Sequence, residues 1–82
     1  TRHLAVELAP ANIRVNAVAP GIIQTPLHGS FADSEAFLNQ LSPSGKTGTV
    51  QDIVAAVLYL TDSAYVSGTI MAVDGGAAAG VW

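Results

Sequence analysis

Hydrophobic and polar residues recur with two different periods along this chain, and each period assigns an element. In residues 1–9, TRHLAVELA, Leu4, Ala5 and Leu8 fall at helical spacing with Glu7 opposite, which predicts the last turns of a helix. Pro10 ends that pattern. After Asn12 the period drops to two. Ile13, Val15 and Ala17 alternate with Arg14, Asn16 and Val18, predicting a strand over 13–18. Residues 20–43 read as loop, interrupted by SEAFLNQL at 34–41. There Ser34 is placed to cap, and Phe37, Leu38 and Leu41 share a face, so a short helix is expected. SPSGKTG at 42–48 reads as a turn.

The clearest helix is TVQDIVAAVLYLTD at 49–62. Thr49 and Asp52 have capping-box spacing. Ile53, Val57 and Leu60 align on one face, flanked by Val54, Leu58 and Thr61. TIMAV at 69–73 predicts a second strand between the turns YVSG and DGG. Strand, crossover helix, strand implies a parallel, right-handed connection. Parallel sheets need helices on both faces and more than two strands, so the pattern predicts an α/β fold with part of its sheet outside this sequence.

Composition sharpens that expectation. Half of the 82 residues are hydrophobic and only 11% are charged. A chain this short buries only about 60% of its unfolded surface, so many of its apolar side chains face water unless something covers them. The expectation is a piece of a larger domain, or a chain that folds against partners. Net charge is −3, and Arg2, Arg14 and Lys46 are scattered, which argues against nucleic-acid binding. Without cysteine there are neither disulfides nor thiolate metal sites, as suits a reducing, cytoplasmic setting. The longest apolar run, Ile53 to Leu60, falls far short of the ~18 residues that span a bilayer, so no membrane partner is expected.

VAPGIIQTP at 18–26 is the candidate for chemistry. In open α/β sheets, ligands sit beyond the carboxyl ends of strands, where this stretch falls. Pro20 fixes φ and presents an apolar ring. Gly21 permits close backbone approach. The amides of Ile22 and Ile23 are free to hydrogen-bond while their side chains cover an aromatic ring, and Thr25 offers a hydroxyl. A flat heteroaromatic with a carboxamide matches that set; a plain strand-to-loop turn containing Pro-Gly matches the residues too. SGKTGT at 44–49 does not complete a phosphate loop, because position 40 is Gln rather than Gly. His3 and His28 stand far apart without a third ligand at metal-site spacing, so no metal is assigned. Asp33, Glu35 and Asp52 read as first-turn helix charges, and Asp74 as closing a turn.

IRVNAVAPGIIQTP, followed by GKTGTVQDIVAAVLYLTDSAYVSGTIMAVDGG, closely resembles the carboxyl-terminal third of short-chain dehydrogenase/reductases. Asn16, Pro20 to Thr25, the Gly48–Asp52 helix start, Ser67-Gly68 and Val73-Asp74-Gly75-Gly76 carry the resemblance. It implies the carboxyl-terminal part of a Rossmann-like doubly wound parallel sheet over residues 1–82. The implied cofactor is NAD or NADP, bound by Pro20, Gly21, Ile22, Ile23 and Thr25. Ile23 backbone would meet the carboxamide, and Thr25 the amide or a phosphate. The implied reaction moves a hydride between cofactor and a small-molecule carbonyl or alcohol. The family pairs Tyr and Lys four residues apart, with a Ser before them. Lys46 has Ser42 at that spacing, and Tyr59 and Tyr65 have Ser63 and Thr69, so no catalytic residue is assigned. By the same resemblance, that pair would fall just upstream of Thr1.

Residues 27–48 are implied to be a substrate lid. Leu27, His28 and Phe31 are its candidate substrate contacts; Phe37 and Leu38 add apolar surface. These residues read equally as packing for the short helix, and His28 as an exposed loop histidine. Trp82 is either a frayed end or a residue packed on a neighbouring subunit. The implied partners are the remainder of the parent chain and further copies, as a dimer or tetramer. A non-catalytic module that only oligomerises is the alternative reading.

Overall fold

The computed structural model of the chain describes residues 1–24 and 32–80. Helix α1 spans Arg2–Leu8 and buries Ala5. Pro10 does stop it, through one 3₁₀ turn over Ala9–Ala11. Asn12 closes that turn in the left-handed region at φ 61°, its N–H donating to the Ala9 carbonyl. Asn tolerates this conformation better than most residues, so the chain reverses here without glycine.

Strand β1 covers Ala17–Pro20 and β4 covers Ile70–Val73, with α3, Val50–Asp62, between them in sequence. The strands pair in parallel, Ala17 opposite Ile70 and Pro20 opposite Val73. The expected strand over 13–18 is therefore displaced toward the carboxyl end. Residues 13–16 alternate like a strand, but their partners across the gap are largely side chains. Val15 N–H donates to Ser67 Oγ, and Asn16 bridges to Val66 and Thr69. The ladder begins in earnest where the Ala17 N–H meets the Thr69 carbonyl and ends where the Gly21 N–H meets Val73. Donors toward β4 thus fall on odd positions. Pro20, without an N–H, occupies an even position facing away and costs the pair no hydrogen bond.

The capping box forms as its spacing predicts. Thr49 N–H donates to Asp52 Oδ2 at 2.8 Å, and the Asp52 N–H returns to Thr49 Oγ1 at 3.3 Å. Helix α3 packs on β1 and β4 through Ala56 and Leu60, both buried, with Ile53 half-buried. Val57, expected to face inward, is 47% exposed. Val57 nonetheless lies beside Leu60 at an open pocket lined by Arg14, Asn16 and Val18, so it faces the uncovered edge of the sheet and not away from it.

Two short elements have no counterpart in the predicted pattern. β2, Ile23–Gln24, pairs in parallel with β3, Gly48–Thr49. Helix α2 spans Ala32–Asn39, slightly earlier than predicted. Asp33, Ser34 and Glu35 are its second, third and fourth residues, so Ser34 does not occupy the N-cap position. Among the described residues the buried apolar core is Ala5, Ala56 and Leu60, and no helix is long and apolar enough to cross a membrane.

Candidate functional site

The carboxyl ends of β1 and β4 meet at a point where three loops interlock. Gly21 leaves β1 and passes directly against the turn that follows β4. A Cβ on Gly21 would lie 2.8 Å from both Cα and Cβ of Asp74, well inside the ~3.5–4.0 Å of a good carbon contact. Only glycine lets these backbones touch. One residue on, the Ile22 carbonyl accepts from the Gly48 N–H at 2.9 Å. That bond sets the β2–β3 register and turns the N–H of Ile23 away from β3.

The third loop is the serine turn before β3. Ser42 is the only buried polar residue among those described. Its hydroxyl lies 2.7 Å from Ser44 Oγ, and the Ser44 N–H donates to the Gly75 carbonyl at 3.1 Å. Gly75 has φ +63°, and a Cβ there would overlap both serine hydroxyls. Asp74 holds the turn after β4 by accepting from the N–H groups of Gly76 and Ala78, each at 3.0 Å, as its position before Gly-Gly predicts. These loops line an open-sided cavity of about 280 Å³. Ile22, Ser42, Lys46, Gly48, Asp52 and Asp74 are among the residues around it.

Asp52 has its carboxyl held below the usual carboxylate range, first by the Thr49 backbone N–H, then by the Thr49 hydroxyl. Lys46 adds a weaker attraction. This carboxylate is committed to capping, so it is not a free acid or base.

Four of the predicted cofactor residues, Pro20, Gly21, Ile22 and Ile23, come together at this end of the sheet. Gly21, Ile22 and Ile23 are half-buried and Pro20 is exposed. Among the described hydrogen bonds, none engages the Ile22 amide. Thr25, Leu27, His28 and Phe31 lie outside the described residues, as does Trp82. Of the remaining apolar residues in 27–48, Phe37 is 60% exposed and Leu38 half-buried. His3 is exposed on α1, consistent with a solvated helix residue. Sequence reasoning missed Ser42, Ser44, Gly48 and Gly75 as neighbours of the turn at 20–23. The Gly-Gly after a strand signalled a turn, but nothing local indicated which loop it would receive.

Comparison with known proteins places this arrangement. The sequence profile of the family described as enoyl-(acyl carrier protein) reductase matches residues 1–78. Carbonyl reductase family member 4 of Xenopus laevis is 40% identical over 93% of this chain, and 3beta-hydroxysteroid dehydrogenase 1 of Eggerthella lenta is 44% identical over 93%. The chain spans 31% of the length of each. Among solved structures, ElxO with NADP bound superposes with a TM-score of 0.85 at 33% identity, covering 98% of this chain and 35% of that one. A blue fluorescent protein from a metagenomic library, in complex with NADPH, gives 0.81 at 36% identity over 95% of this chain and 32% of its own. The fold is thus the carboxyl-terminal part of a Rossmann-like parallel α/β domain, and the chain belongs to the short-chain dehydrogenase/reductase family.

Proposed function

We propose that this chain serves as the carboxyl-terminal segment of an NAD(P)-dependent oxidoreductase that interconverts a carbonyl and an alcohol. The observation that carries the reading is the Pro20–Ile23 turn at the carboxyl end of β1. There Gly21 is drawn against Asp74, and the Ile22 amide is unused by the described hydrogen bonds. That is where ligands bind in open α/β sheets, and two solved relatives carry NADP or NADPH.

In this reading the cofactor supplies or accepts the hydride. The chain's own residues supply position. The Pro20 ring and the Ile22 and Ile23 side chains form an apolar wall for a planar ring. The backbone at Ile23 and the Thr25 hydroxyl orient a carboxamide or phosphate. Leu27, His28 and Phe31, in the lid over 27–48, contact the substrate. The acid–base groups come from the remainder of the parent chain. The exposed apolar side chains of α3, Val54 and Leu58, pack against further copies in a dimer or tetramer.

The test is a crystal structure of the full-length protein soaked with NADP, and separately with NAD. The reading expects the pyridine ring against Ile23, with its carboxamide within about 3.2 Å of a backbone amide or carbonyl at 22–23. Pyridine density remote from both Ile23 and Thr25 refutes it. Oligomers that bind neither coenzyme support the purely assembling alternative.

A further inference from the structure

Two kinds of glycine surround the turn at 20–23, and the difference singles out one residue. Gly45, Gly75 and Gly76 have positive φ, at 76°, 63° and 92°, where other residues are strained. Gly48 does not belong to that group. Its backbone conformation suits any L-residue, and its N–H bond to the Ile22 carbonyl would survive substitution. What a side chain at position 48 meets is Ile23. An added Cβ would lie 2.8 Å from Ile23 Cδ1, with Asp52 Oδ2 next at 3.5 Å.

We propose that Gly48 is a positioning residue for the cofactor: its missing side chain is the space into which Ile23 settles, and this holds the Ile23 methyl in line with the nicotinamide face. The proposal rests on the cofactor reading of Pro20–Ile23 given above. Gly48 itself touches no ligand; it acts through Ile23. Good carbon contact needs about 3.5–4.0 Å, so a methyl at position 48 drives Cδ1 back by about 1 Å. One methyl more or less in an apolar pocket changes discrimination by about ten- to 200-fold. The atom that moves is the free end of a half-buried side chain, so the fold absorbs the change while the binding surface does not. Alanine also restricts the unfolded chain where φ permits it, so thermal stability is expected to hold or rise.

The test uses the full-length protein, with coenzyme dissociation constants from NADPH and NADH fluorescence titrations and melting temperatures measured alongside. Gly48→Ala is expected to weaken binding of the coenzyme that the wild type prefers by about tenfold, without lowering the melting temperature. The rescue variant combines Gly48→Ala with Ile23→Val, which removes Cδ1. It is expected to bind within about threefold of Ile23→Val alone. Wild-type affinity in Gly48→Ala overturns the proposal, and leaves the cofactor reading intact if the soaked crystal still shows the pyridine at Ile23. A pyridine bound elsewhere overturns both. Should Gly48→Ala be too unstable to purify, the double variant decides alone: tenfold weaker binding than Ile23→Val overturns the proposal.

Discussion

The two ends of the β1–β4 pair are fastened by different means. At the amino end, long side chains reach across the gap. Arg14 donates to the carbonyls of Leu60 at 2.7 Å, Thr61 at 2.9 Å and Val66 at 3.2 Å. Asn16 donates from Nδ2 to the Val66 carbonyl and accepts at Oδ1 from the Thr69 N–H. The cation thus sits on the last carbonyls of α3, where the helix dipole favours positive charge. At the carboxyl end almost no side chain spans the gap. Backbones touch directly at Gly21 and Asp74, Gly48 and Ile22, and Gly75 and Ser44. One end spends its side chains on structure. The other closes with glycines, and none of the described hydrogen bonds engages the Ile22 amide.

That contrast predicts opposite sensitivities: the carboxyl end resists added atoms, and the amino end resists their removal. Gly75→Ala combines a positive φ with overlap onto Ser42 and Ser44, and should destabilise the full-length protein by about 3 kcal/mol in denaturant titration. A cost smaller than that of the amino-end deletion below would break the contrast. Arg14→Ala removes three hydrogen bonds from a partly buried cation and should cost about 2 kcal/mol in the same titration. Arg14→Lys should recover less than half of it, because an ammonium cannot match the planar fork.

The smallest effect sharpens the picture at the start of α3. The folded Asp52 carboxyl is held below its ordinary value. Its stabilisation is therefore complete above that ordinary value and is lost as pH falls through the lower, folded one. The melting temperature of Asp52→Asn should trail the wild type at neutral pH, and the gap should close on acidification through that window. A gap that persists at the acid end would mean that the charge plays no part in the cap.

Much of this architecture was legible in the residues. The Thr49–Asp52 spacing announced the start of α3, Pro10 the end of α1, and Asp74-Gly75-Gly76 the turn after β4. The stretch at 18–26 drew attention to the end of the sheet where the candidate site lies. β1 was misplaced because Asn16 and Arg14 alternate as in a strand while bonding with their side chains. The β2–β3 pair was missed because two residues carry no period. Ser34 was read as a cap because its side chain suits one, although α2 begins two residues earlier.

The sequence by itself determined what depends on neighbours within a turn or two: the capped helix, the parallel order of the main strands, the breaks at proline and glycine. These follow from local hydrogen bonding and from the period of apolar residues. Only the tertiary structure decided why Gly48 and Gly21 lack side chains, why Ser42 is buried, and which face of α3 meets the sheet. Those facts hold between residues 25 to 53 positions apart, and such distances close only when the strands have paired and brought three loops to one point.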